Sequence, residues 1–210
     1  MNKILYLLLI IVILFSYKIL EKYFERFFPR IIKSQLWDSK GYYSWGLVLL
    51  IVYLIIRPKD YLFKLPINNK EGLIVVFCFA LFTLFLCIQN PNSYYPRKSN
   101  KLRCVHFGVV QPIFEEVAFR GLILPMTIFL IGDNFNMIML TNGIMFMLFH
   151  INYWSFEKRH FNLFFNFFFM GLFFTYVALI TQSIFYSTIC HIIGNGGYTV
   201  YRNWRDKGTA

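Results

Sequence analysis

The sequence predicts an all-α fold, a polytopic transmembrane helical bundle of about seven spans, and three observations carry that prediction. Hydrophobic residues make up 58% and aromatics 21% of the 210 residues, far from the balance of a water-soluble domain of this length. The apolar residues gather into runs near the roughly 20 residues that cross a hydrocarbon core. The charges lie between the runs: the formal net charge of +11 comes from connecting segments rather than from one soluble face, which sets nucleic acid aside as a partner. A chain surrounded by lipid must satisfy its own backbone, so every spanning element is read as a helix.

Four runs are plain: Ile4–Phe15, Trp45–Ile56, Leu73–Ile88 and Phe161–Ile180. The first follows a lone Lys3 in the manner of a signal peptide. No small-x-small site comes after it, only Tyr17, Lys18 and a mixed-charge segment, so an uncleaved anchor is expected. Three further runs are less clean. Cys104–Ile131 contains a charged cluster, Phe135–Phe149 is rich in methionine and ends at His150, and Ser183–Tyr201 is interrupted by His191-Ile192-Ile193-Gly194-Asn195-Gly196-Gly197. Lys and Arg alternate in density along the loops, fifteen on one side against five on the other. That bias places the C-terminus in the cytoplasm and, with seven spans, the N-terminus outside; the basic Arg57–Lys70 loop fits it poorly. Cys78, Cys87, Cys104 and Cys190 all sit in apolar runs without Cys-x-x-Cys spacing and read as small buried hydrophobes. No repeat and no phosphate-binding loop is present.

The most informative segment is Glu115-Glu116-Val117-Ala118-Phe119-Arg120, three ionisable groups inside an apolar run. A charge at the centre of a membrane helix costs roughly 2.5–3.5 kcal/mol on the insertion scale, so the cluster must be paired or used. Glu116 and Arg120 are four apart and stack on one helix face, where they can pair. Glu115 is rotated from Glu116 by about 100° and needs another partner. This division makes Glu116 and Arg120 architecture and Glu115 the reactive carboxylate; a purely stabilising charge cluster is the plain alternative. Pro112 removes an amide donor three residues earlier and can kink the helix. His150 ends the Met-rich run with Phe146 one turn before it. His191 and Asn195 are again four apart, two hydrogen-bond donors on one face, which suits an oxyanion clamp or an interhelical contact. The loop charges put all of these in the same half of the membrane, where a carboxylate, two imidazoles and an amide can activate water and hold a tetrahedral oxyanion.

These residues, Glu115-Glu116-x-x-x-Arg120, Phe146-x-x-x-His150 and His191-x-x-x-Asn195 in order on successive helices, resemble the three motifs of the CPBP (CAAX protease and bacteriocin-processing) intramembrane proteases, also called the Abi or Rce1-like family. The resemblance covers about residues 104–200. It divides the chain into N-terminal membrane-spanning helices (1–103), a catalytic helical core (104–201) and a basic cytoplasmic tail (202–210). It implies an endopeptidase in which Glu115 and His150 activate water, His191 and Asn195 hold the oxyanion, and Glu116, Arg120 and Phe146 support them.

The family has been described both as zinc proteases and as metal-independent glutamate proteases. The compact H-E-x-x-H pattern is absent here, so no cofactor is expected, with zinc as the alternative. The resemblance further implies a multi-pass protein of the cell membrane whose cavity faces the cytoplasm, with a membrane-associated peptide or protein as substrate. Eukaryotic relatives trim prenylated CAAX tails, whereas bacterial relatives are associated with peptide maturation, signalling and bacteriocin self-immunity. Heavy use of Ile, Asn, Lys and Phe favours the bacterial setting. A non-catalytic immunity or scaffold protein that works by binding is the main rival, and a proton-relaying transporter lacks the inverted repeat that would support it.

Overall fold

The computed structural model describes residues 3–27, 40–57, 64–89, 104–151 and 161–208. Seven helices follow one another among them: α1 (Lys3–Phe27), α2 (Lys40–Ile56), α3 (Asn69–Gln89), α4 (104–131), α5 (Phe135–Ile151), α6 (Phe161–Thr181) and α7 (Phe185–Gly208). The all-α bundle expected from composition is therefore present, with one helix for each apolar run. Lys3–Leu20, Asn69–Gln89 and Leu163–Thr181 are long and apolar enough to cross a membrane; Gly41–Ile56 and Phe135–His150 are apolar but shorter. The basic segments Arg97–Arg103 and Lys158-Arg159, on which the charge-bias reading leans, lie outside the described residues.

The outer surface is apolar. Leu7, Leu50, Leu73, Phe77 and Phe85 are each more than half exposed, a surface no water-soluble monomer would keep and one that acyl chains solvate without cost. Inside, aromatic rings dominate. Trp45 of α2 stacks on Phe149 of α5 with centroids 5.0 Å apart, and Phe119 of α4 meets Phe146 and Phe149 edge-on at 4.9 and 5.3 Å. Trp45 also donates its indole N–H to the Ile13 carbonyl at 2.9 Å, which locks α2 onto α1 and satisfies a polar handle that would otherwise be orphaned in the core.

The helix α4 is the one with irregular winding. It contains two π-helical segments, His106–Val110 and Val117–Ile123, on either side of the α-helical Gln111–Glu116. A π segment widens the helix and resets which residues share a face, and such segments recur at functional sites. Pro112 lies at the start of the middle segment, and the backbone stays helical through Val110 and Gln111. The helix stops at Gly132, whose φ of 77° lets its N–H turn back onto the Ile128 carbonyl at 2.8 Å. Two residues on, the Asn134 side chain accepts the Met137 N–H at 3.1 Å and starts α5.

The last span is a single helix, as expected, and α7 continues to Gly208, so most of the basic tail is its last two turns. Its polar and glycine-rich stretch serves packing. A Cβ on Gly108 would sit 3.1 Å from the Cα of Gly196, so the two backbones meet where α4 crosses α7.

Candidate active site

The three motifs lie on α4, α5 and α7, and the bundle brings them together around two adjacent carboxylates. Glu115, Glu116 and Arg120 are each no more than 1% exposed. Charges this deep persist only when paired and hydrogen-bonded, and the two glutamates meet that need in different ways.

Glu116 is held through one oxygen, while its buried Oε2 accepts no hydrogen bond among the described residues. Its Oε1 accepts the Arg120 Nη1–H at 3.1 Å, the i,i+4 pair expected from spacing, and also meets His191 Nδ1 at 2.9 Å. Arg120 sends its other terminal nitrogen to the Gly171 carbonyl of α6 at 2.9 Å. Glycine is required there, because a Cβ at Gly171 would lie 2.8 Å from Cβ of Phe146 and force α5 and α6 apart. The guanidinium carbon sits 4.8 Å from the Phe146 ring centroid, 5.3 Å from Phe174 and 5.7 Å from Phe119, an aromatic cage that suits a flat, weakly hydrated cation.

Glu115 is half held and half open. Its Oε1 accepts two hydrogen bonds, from the Tyr42 hydroxyl of α2 at 2.9 Å and from Gln111 Nε2 at 2.9 Å. Its Oε2 is buried and, among the described residues, accepts none. Instead Oε2 faces His150 Nε2 and His191 Nε2, each at 3.6 Å. That separation is too long for a direct hydrogen bond.

Both imidazoles are oriented from behind. The Nδ1 of His150 lies 2.8 Å from the Phe146 carbonyl, which can only accept, so Nδ1 carries a proton and the neutral ring turns a lone pair at Nε2 towards Glu115. The His150 ring stacks on Phe167 with centroids 4.0 Å apart, and that of His191 stacks on Phe174 at 4.6 Å. Phe146 thus supports the site twice, through its carbonyl under His150 and its ring under Arg120. Asn195, one turn beyond His191, is half-buried. Among the described residues its carboxamide makes no hydrogen bond, while its backbone carbonyl accepts from Thr199 at 2.9 Å.

Of the residues singled out in the sequence, Glu115, Glu116, Arg120, Phe146, His150 and His191 therefore form one contact network, with Asn195 adjacent. Four contributors were not singled out. Gln111 is four residues before Glu115 and so was within reach of the same spacing rule that paired Glu116 with Arg120. Tyr42 lies 73 residues away, and Phe167 and Phe174 look like any other ring in an aromatic-rich helix.

The helical bundle thus gathers buried carboxylates and imidazoles from three of its helices into one place. Residues 98–197 match the family described as type II CAAX prenyl endopeptidase Rce1-like, a stretch that contains all three motifs. Over these residues the chain is similar to the Rce1-like family, whose description is that of a protease, and the chain carries helices long and apolar enough to cross a membrane. No curated protein and no solved structure matches the chain significantly.

Proposed function

We propose that this chain is a glutamate-type intramembrane endopeptidase that hydrolyses a peptide bond with water activated by Glu115, without a bound metal. The observation that carries the reading is the open Oε2 of Glu115 facing two imidazole nitrogens at 3.6 Å each. A water at that gap can donate one hydrogen to Glu115 Oε2 and the other to His150 Nε2, which leaves its oxygen lone pair for the scissile carbonyl. As the C–O bond forms, the proton passes to Glu115. His191, held at Nδ1 by Glu116, turns Nε2 to the site, and Asn195 supplies an amide donor for the developing oxyanion. Collapse of the tetrahedral intermediate breaks the C–N bond, and the proton held by Glu115 goes to the leaving nitrogen.

Two imidazoles and a carboxylate are a donor set that zinc accepts. Among the described residues, however, no group of three His, Cys, Asp or Glu is arranged to hold a metal ion. The chain's own side chains can carry every step of the hydrolysis.

The substrate in this reading is a membrane-associated peptide or protein reached from the cytoplasmic side, with the C-terminus of α7 in the cytoplasm. The family description supports a prenylated CAAX end as one candidate. The composition favours peptide maturation, signalling or bacteriocin self-immunity in a bacterial cell membrane. The test is detergent-purified protein incubated with a farnesylated CAAX-ended peptide and with the same peptide lacking the prenyl group. The reading predicts cleavage of at least one by the unaltered chain and none by Glu115→Gln, which keeps the volume and inserts normally. Cleavage of neither peptide, in a chain that still confers its cellular effect when Glu115 is Ala, would mark a binding protein instead.

A further inference from the structure

We propose that Tyr42 and Gln111 are positioning residues that fix the rotation of the Glu115 carboxylate, so that α2, outside the family-matched core, is part of the catalytic unit. This rests on the protease reading and concerns how its base is held. A carboxylate oxygen offers two in-plane lone pairs, and at Oε1 of Glu115 both are taken, by the Tyr42 hydroxyl and by Gln111 Nε2 at 2.9 Å each. The terminal torsion of a glutamate is broad and roughly two-fold, so nothing intrinsic decides which oxygen faces the imidazoles or at what tilt. Two donors converging on one oxygen from different helices decide both. They leave Oε2 as the oxygen that meets His150 and His191.

The two donors are themselves held. Gln111 is on the same helix as Glu115, one turn before it. The Tyr42 ring is buried at 3% exposure, lies 4.7 Å from Tyr17 of α1 and 6.0 Å from Trp45, and meets His106 edge-on at 5.7 Å. Trp45 in turn is bonded to Ile13 of α1. A rigid aromatic stack thus runs from α1 through α2 to the reactive carboxylate. Since residues 98–197 alone match the family, Tyr42 is a contribution of the N-terminal region to a core that the motifs describe without it.

The test uses the full chain and whichever of the farnesylated or unprenylated CAAX-ended peptides it cleaves. Tyr42→Phe keeps the ring and its neighbours and removes only the hydroxyl donor; Gln111→Leu removes the other donor. Each is expected to lower kcat by about 10- to 100-fold, the scale of a lost hydrogen bond to a charged group, with KM and melting temperature unchanged. Tyr43→Phe, at an adjacent exposed tyrosine that contacts His106 and Phe114, is expected to keep the unaltered kcat. A purely structural tyrosine would show its loss in melting temperature rather than in kcat.

Unchanged kcat in both single variants overturns the assignment while leaving the protease reading intact, and so does a loss confined to KM. If Tyr42→Phe fails to accumulate, Gln111→Leu decides alone by the same criterion. Failure of the unaltered chain to cut either peptide takes down the protease reading and this assignment together.

Discussion

Glu115 and Glu116 are neighbours in the chain, each held through one oxygen, and they differ in what holds them and in what faces the other oxygen. At Glu116 an arginine and a histidine converge on one oxygen, and the arginine is anchored further by a backbone carbonyl and three rings. At Glu115 the donors converge on Oε1 and leave Oε2 between two imidazoles at distances that invite a water. The roughly 100° between successive residues on a helix is enough to give two adjacent carboxylates entirely different partners. A buried ion pair adds little net stability, but removing one member strands the other, so the Glu116–Arg120 pair is expected to tolerate change poorly.

The largest effects are expected at the Glu116–Arg120 pair. Glu116→Ala and Arg120→Ala each leave an uncompensated buried charge, a loss of about 3–5 kcal/mol that should appear as poor accumulation and early melting. The double variant Glu116→Ala/Arg120→Ala should recover part of both. Normal accumulation of the two single variants would show that the two carboxylates do not differ in the way described.

Next comes the oxyanion side of Glu115. Asn195→Ala should lower kcat on the order of 10²–10³ with little change in melting, the usual cost of one oxyanion donor. Asn195→Asp sharpens the comparison, since a carboxylate repels a developing oxyanion yet would improve a metal site. An active Asn195→Asp protein would move the chemistry towards metal catalysis.

A smaller loss is expected from the platform under His150. Phe167→Leu removes the ring stacked at 4.0 Å but neither hydrogen bond nor charge, so kcat should fall by several-fold, in keeping with the roughly 0.5–1.5 kcal/mol of an aromatic pair. A collapse as deep as that of Asn195→Ala would mean that ring stacking, not the Phe146 carbonyl, orients His150.

The last prediction changes no rate and tests direction. A cysteine at Trp204, whose side chain is 70% exposed near the end of α7, should react with a charged thiol reagent only once the reagent is inside the cell, in a background lacking Cys78, Cys87, Cys104 and Cys190. Labelling from outside intact cells would reverse the membrane orientation and the side from which substrate approaches.

The same contrast shows how much was legible in the sequence. The all-α bundle follows from hydropathy, and the Glu116–Arg120 pair follows from a spacing of four, because both rest on local periodicity. What spacing could not supply is the winding of α4: a period of 3.6 does not announce the π segments that bracket Gln111–Glu116. Nor could spacing name the partner of His191: it meets Glu116, a contact between α4 and α7, helices whose backbones approach at Gly108 and Gly196. Tyr42 was invisible, a tyrosine among fourteen, distinguished only by where α2 packs.

The central claim is that water is activated by the open oxygen of Glu115 and by no metal. Turnover of a cleaved peptide by detergent-purified protein after exhaustive chelation tests it most directly, with Glu115→Gln assayed alongside. The account predicts an unchanged rate for the chelated protein and none for Glu115→Gln. A rate lost on chelation and restored by zinc, or turnover by Glu115→Gln at the level of the unaltered chain, would contradict it.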